Sequence, residues 1–132
     1  MNTVEVFVYG TLRKGGHNRD VLKGRVINSR FFSLPGKLVD VGMFPAMVYL
    51  PHSTQEVKGE LVTIHKDDLP ILDRLEGYRG PGHYNHYERL LVNGIYFYVY
   101  SEDRKPERFP EIVGGDWIEH TNKKTKLERW SG

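Results

Sequence analysis

The stretch Val4-Glu5-Val6-Phe7-Val8-Tyr9-Gly10-Thr11-Leu12-Arg13-Lys14-Gly15-Gly16, residues 4–16, organises the rest of the chain. A run of β-branched and aromatic residues stops at Gly10, and a short loop with two more glycines follows. The near-continuous apolar character, with Glu5 the exception, predicts a strand over residues 3–9 that is buried on at least part of both faces. The loop then delivers a row of backbone N–H groups to one end of a sheet. Such a row seats a carboxylate or phosphate, because its donors are fixed and need no ionised partner.

Downstream of this loop, Asn18 is an N-cap for a short helix through Lys23, ended near Gly24. Residues 25–34 read as a strand, Pro35-Gly36 as a turn, and residues 37–41 as its continuation, broken at residues 42–45. Residues 46–50 and 57–64 are further strands, with Gly59 marking a bulge or a close backbone approach. Asp67 or Asp68 caps the next helix, Pro70 falls in its first turn, and Gly77 ends it in a left-handed conformation. Residues 84–92 and 95–101 flank Asn93-Gly94, the strongest hairpin signal present. Residues 109–120 hold a short helix or turn. Six or seven strands and two or three short helices define an α+β chain. Pairing is expected to be mostly antiparallel in a small mixed sheet, curled or closed. One domain spans residues 1–122, and residues 123–132 form a polar, loose tail.

Composition narrows the function classes. A chain of 132 residues is one domain with room for a real core. The net charge of +2 gives no strong attraction to polyanions. The absence of cysteine excludes disulfides, thiolate metal sites and a cysteine nucleophile. Neither a signal peptide nor an apolar run of about 20 residues is visible, so a soluble, cytoplasmic protein is expected.

The glycine loop is not a nucleotide-binding P-loop. Gly10 and Gly15 have the right spacing, but Gly16 and His17 stand where that motif needs a lysine and a hydroxyl. Two readings stay open: a plain strand-to-helix linker, or an anion cradle whose Thr11, Leu12 and Arg13 amides face out at a sheet end. Glu76 adds a second element. Leu69, Leu72 and Glu76 share one helical stripe, while Asp73 and Arg74 take the wetter directions. Partial desolvation and the negative end of the helix dipole both push such a carboxyl pKa up, toward a general base. The alternative is that Glu76 reaches water or pairs with Arg74, Arg79 or Arg89. Cradle and carboxylate together suggest an enzyme for a small acidic metabolite.

Five segments, in order, resemble the γ-glutamylcyclotransferase-like family, also called AIG2-like or γ-glutamylamine cyclotransferase-like. They are Val8-Tyr9-Gly10-Thr11-Leu12, Gly42-Met43-Phe44-Pro45-Ala46, Leu72-Asp73-Arg74-Leu75-Glu76-Gly77-Tyr78, Tyr87-Glu88-Arg89 and Gly115-Asp116-Trp117. Each is short, and the specificity lies in the set, which covers nearly the whole chain. The resemblance implies a barrel-like mixed sheet and intramolecular aminolysis, metal-independent and without a cofactor. The free α-amine of a γ-glutamyl group attacks its own γ-carbonyl, 5-oxoproline closes, and an amine or peptide leaves. By the same resemblance Glu76 is the general acid/base, and Tyr9, Gly10, Thr11 and Leu12 hold the substrate α-carboxylate. Tyr87 is a further pocket residue. Arg13, as a solvated group that steers anions, and Tyr84, as a pocket or strand-face aromatic, are secondary candidates. The leaving group, whether from glutathione or another γ-glutamyl amine, is not readable from sequence, nor is the oligomeric state.

Competing sites are weaker. His83 and His86, three apart on an expected strand, would point to opposite faces and could not easily share a metal ion. His17, His52, His65 and His120 are expected on the surface or in loops. No G-x-S-x-G elbow supports a serine nucleophile. The basic tail, with Trp130, reads as a solvated terminus rather than a nucleic-acid contact. A different class of function is a non-catalytic module that binds a small metabolite in the same pocket.

Overall fold

The computed structural model describes residues 2–131, with side chains described through residue 124. The strands are β1 (Thr3–Val8), β2 (Val26–Asp40), β3 (Pro45–Tyr49), β4 (Glu56–His65), β5 (Glu88–Val92) and β6 (Ile95–Val99); the α-helices are α1 (Leu69–Glu76) and α2 (Trp117–Ser131). They form a mixed sheet in the order β3-β2-β4-β1-β6-β5. β1 lies inside it, antiparallel to β4 and parallel to β6. That position explains the apolar run: alternate residues of β1 serve opposite faces, and both are covered. Val6 and Val8 pack with Val62, Ile64 and the α1 leucines Leu69 and Leu72. Phe7 packs on the other side with Leu38, Met47, Leu61, Phe97 and the α2 residue Trp117.

The sheet is curled into a half-barrel. Past the end of β6, the Tyr100 amide donates to the Met47 carbonyl of β3 over 3.1 Å. The Tyr49 and Phe97 rings meet edge-on with centroids 5.1 Å apart. The α+β, barrel-like architecture expected from sequence is therefore present.

Several local expectations change. Pro35-Gly36 is not a turn but the point where one long strand changes partners. Residues 26–35 pair with β4, and from Gly36 onward β2 pairs with β3. A side chain at Gly36 would meet the Val48 carbonyl oxygen at 2.3 Å, so only glycine lets β3 close in there. Gly59 marks a close approach, its missing Cβ falling 2.3 Å from the Val8 carbonyl oxygen. The irregularity in the β2–β4 pairing lies instead at Val26/Asn28. The helix after Asn18 is a single 3-10 turn, Arg19–Leu22, and the Asn18 side chain does not cap it.

Three turns behave as read. Pro70 sits in the first turn of α1, and Gly77 ends it with φ 69°. Asn93 and Gly94, at φ 50° and 78°, join β5 to β6 as a type I′ hairpin requires. Residues 84–87, expected in a strand, belong to the loop that leads into β5. Residues 123–131, expected as a loose tail, continue α2. The tail side chains from residue 125 on, including Lys126, Arg129 and Trp130, lie outside the described side chains.

Candidate active site

One cavity of about 270 Å³ opens at the end of β1. Tyr9, Gly10, Thr11 and Leu12 form one wall, Leu75 and Glu76 another, and His86 and Tyr87 a third. Phe7 and Val8 of β1, Phe44 and Pro45, Tyr98 and the loop residues His17 and Asn18 complete the lining. The volume is at the small end for ligand sites, suited to a single metabolite moiety.

Glu76 is the last residue of α1, and its position follows from how that helix stops. Gly77 turns left-handed, and its missing Cβ would lie 2.8 Å from the His86 Cβ. Helix end and loop are thus locked together, with the Tyr87 amide donating to the Glu76 carbonyl. Among the described residues the Glu76 carboxylate makes no hydrogen bond and no ion pair. Arg89, one of its expected partners, is committed elsewhere: its guanidinium binds Asp73 at 2.6 Å and lies over the Tyr78 and Tyr96 rings. Arg74 and Arg79 are exposed. Burial in an uncharged surround therefore raises the Glu76 pKa from 4.5 to about 7. Asp73 is not wet, as expected from the helix stripe, but receives both Arg89 and the Tyr98 hydroxyl (2.6 Å).

The loop opposite is held by its own short contacts. Arg13 N–H donates to the Gly10 carbonyl (3.0 Å), and Asn18 N–H donates to the Thr11 carbonyl (2.9 Å). The Asn18 side chain donates to the Thr11 hydroxyl over 3.0 Å. A Cβ on Gly16 would collide with the Thr11 carbonyl oxygen at 2.3 Å, and one on Gly10 with the Pro45 ring at 2.8 Å. Among the described residues no protein acceptor takes the amides of Gly10, Thr11 and Leu12. A row of uncommitted N–H groups beside a cavity has the chemistry to seat an anion.

The tyrosines are walls with spent hydroxyls. Tyr87 donates to the Pro45 carbonyl (2.7 Å) and Tyr9 to the Tyr98 carbonyl (2.6 Å). Burial, with Glu76 nearby, pushes both phenols far up, so they stay protonated.

Tyr9, Gly10, Thr11, Leu12, Glu76 and Tyr87 thus converge on one space, although they lie far apart in sequence. Arg13 and Tyr84 do not join them. Arg13 is 6% exposed rather than solvated, bound at 2.7 Å to Asp116. Tyr84 is 86% exposed, stands in a loop rather than on a strand, and lies beneath the Arg104 guanidinium. His83 and His86 are likewise on a loop, which removes the opposite-faces argument; His86 alone reaches the cavity. It packs edge-on against Phe44, Tyr87 and Tyr100, and burial with Arg104 nearby lowers its pKa, leaving it neutral. His120, expected at the surface, is half-buried and 2.8 Å from Asp40. Among the described residues no cluster of three or more His, Asp or Glu side chains is set to hold a metal ion. Nor is any helix long and apolar enough to cross a membrane.

Sequence reasoning missed the lining residues His17, Asn18, His86 and Tyr98, as well as Glu60 behind the loop. For Phe44 and Pro45 the signal was present in Gly42-Met43-Phe44-Pro45-Ala46. Glu60 gave none, being one of several charged residues along its strand, with Glu56 and Lys58.

This fold has known counterparts. Residues 6–119 match the family model "Gamma-glutamyl cyclotransferase, AIG2-like", and the chain belongs to that family. A Niallia circulans protein named gamma-L-glutamyl-butirosin B gamma-glutamyl cyclotransferase is 40% identical over 78 residues, 58% of this chain and 48% of its own. The match thus spans about half of that relative. A Vibrio cholerae serotype O1 protein named "Putative gamma-glutamylcyclotransferase" is 32% identical over 116 residues, 86% of this chain and 95% of its own. Among solved structures, an aig2-like protein from Mus musculus superposes with a TM-score of 0.65 at 22% identity, covering 89% of each chain. That likeness speaks for the fold.

Proposed function

We propose that the protein is a γ-glutamyl cyclotransferase that releases 5-oxoproline from a γ-glutamyl amine or peptide, with Glu76 as general acid/base. The observation that carries this reading is the shared cavity: among the described residues, an unpaired carboxylate and a row of uncommitted amides line the same small space. The names of the relatives support the same activity.

The substrate α-carboxylate sits on the Gly10, Thr11 and Leu12 amides. This leaves the α-ammonium and the γ-amide directed toward Glu76. Ionised Glu76 takes a proton from the ammonium, and the freed nitrogen forms a bond to the γ-carbonyl carbon. The carboxylic acid then gives that proton to the departing nitrogen as its C–N bond breaks, and Glu76, ionised again, takes the second proton from the ring nitrogen and passes it to the freed amine, which leaves as an ammonium. The products are 5-oxoproline and a free amine or peptide, and Glu76 returns to its starting state. Atoms and protons balance without a redox step. A pKa of about 7 suits both halves of this exchange, because each form is populated near neutrality. Attack within one bound molecule removes much of the entropic barrier. Tyr9 and Tyr87 shape the wall and exclude water.

Incubation of the purified protein with a panel of γ-glutamyl amines, amino acids and peptides, followed by chromatographic detection of 5-oxoproline, tests this reading. Turnover of at least one member is expected. Folded protein that turns over none, yet binds 5-oxoproline, would favour a metabolite-binding module.

A further inference from the structure

The cradle amides have a buried support that the chemistry above does not use. Glu60 stands on β4, in register with Val8, the last residue of β1. It is 5% exposed. One carboxylate oxygen accepts the Lys14 amide over 3.0 Å, and the other binds the Arg19 guanidinium at 2.8 Å. The same Arg19 nitrogen donates to the Leu12 carbonyl over 3.2 Å. Arg13 Nε lies 3.8 Å from Glu60 and makes no hydrogen bond, while its other end is held by Asp116. A single carboxylate therefore touches the loop just past the cradle, directly at Lys14 and through Arg19 at Leu12. It also draws two arginines behind the loop, so that main-chain amides, not guanidinium groups, face the cavity.

We infer that Glu60 is a positioning residue for the anion cradle, fixing the loop so that the Gly10, Thr11 and Leu12 amides read the α-carboxylate of the ligand. The inference rests on the function proposed above and adds to it a residue that touches no substrate. Its consequence is specific. Loss of Glu60 must weaken the part of recognition that depends on the carboxylate and spare the part that depends on the ring or the amide.

Two probes separate these parts: 5-oxoproline, and 2-pyrrolidinone, the same lactam without the carboxylate. Dissociation constants for both are measured by NMR titration of wild type, Glu60→Gln and Arg19→Gln. Circular dichroism and thermal melting check that each variant is folded. Wild type is expected to bind 5-oxoproline far more tightly. Glu60→Gln should weaken 5-oxoproline by roughly tenfold or more, the scale of a charge-assisted hydrogen bond, and leave 2-pyrrolidinone within about threefold. Arg19→Gln, at a less buried site, should shift the same ratio by a smaller factor and keeps the test alive if Glu60→Gln does not fold. Equal weakening of both lactams would reduce Glu60 to a general structural role, and unchanged or tighter 5-oxoproline binding would overturn the inference outright. A wild type that does not distinguish the two lactams would instead overturn the cradle itself, and with it the proposed function.

Discussion

Two sides of the same loop are built on opposite electrostatic terms. Behind it every buried carboxylate is matched: Glu60 by Arg19 and the Lys14 amide, and Asp116 by Arg13. Burial alone would raise the Asp116 pKa, but the Glu119 amide and Arg13 hold it below the usual carboxylate value. In front of the loop Glu76 has no partner among the described residues, and burial leaves its pKa near 7. Of the arginines that could neutralise Glu76, Arg89 is bound by Asp73, while Arg74 and Arg79 are exposed. On the proposed function, the general base is made by burying the acid and leaving it without a cation.

Removing the unpaired acid should have the largest effect. Glu76→Gln is expected to lower kcat for 5-oxoproline release by about 10²–10⁴-fold, the usual worth of a general acid/base, with little change in KM. The same change should stabilise the fold. Folding raises the Glu76 pKa from 4.5 to about 7, so the ionised form is the disfavoured one in the native state. Wild-type stability should thus fall as pH rises from about 4.5 to about 7 and stay low above that, by up to about 3 kcal/mol. Denaturant melts at pH 4 and pH 8 should show Glu76→Gln gaining on wild type only at the higher pH.

Disturbing the cradle should act next most strongly. Gly16→Ala puts a methyl group against the Thr11 carbonyl, where backbone rather than a flexible side chain must give way. A loss of about 1–3 kcal/mol and a raised KM are expected from melts and kinetics. Asp73→Asn then tests the withholding of cations. It leaves Arg89 without its anion, and the Glu76 pKa read from the acid limb of kcat/KM should move down from about 7. In wild type that limb should rise with pH through about 7, because the base must be ionised. The smallest effect is expected at Tyr84. Tyr84→Ala should change kcat/KM by less than about threefold, since the ring is on the surface and off the cavity.

Much of the fold was legible where a local rule has one outcome. The Asn93-Gly94 hairpin and the Gly77 stop follow from backbone conformations that few residues accept, and the buried first strand from its near-continuous apolar run. Pro35-Gly36 misled because turn chemistry and a change of strand partner use the same residues; only the distant Val48 carbonyl separates the two. At the site, Glu76 and residues 9–12 could be read from the helix stripe and the glycine loop. Glu60 could not, since its role depends on which strand lies behind the loop. Arg13 was misplaced for the same reason: its partner Asp116 is 103 residues away in sequence.

The central claim is that amides and acid serve one ligand. Titration of isotopically labelled protein with 5-oxoproline, following the Gly10, Thr11 and Leu12 amide signals and the Glu76 side-chain carboxyl signal together, addresses it in one experiment. All four should shift along a single binding curve, with the Glu76 carboxyl titrating near pH 7 in the free protein. Amide shifts without any response at Glu76, or a Glu76 that titrates like a solvated carboxylate, would contradict it.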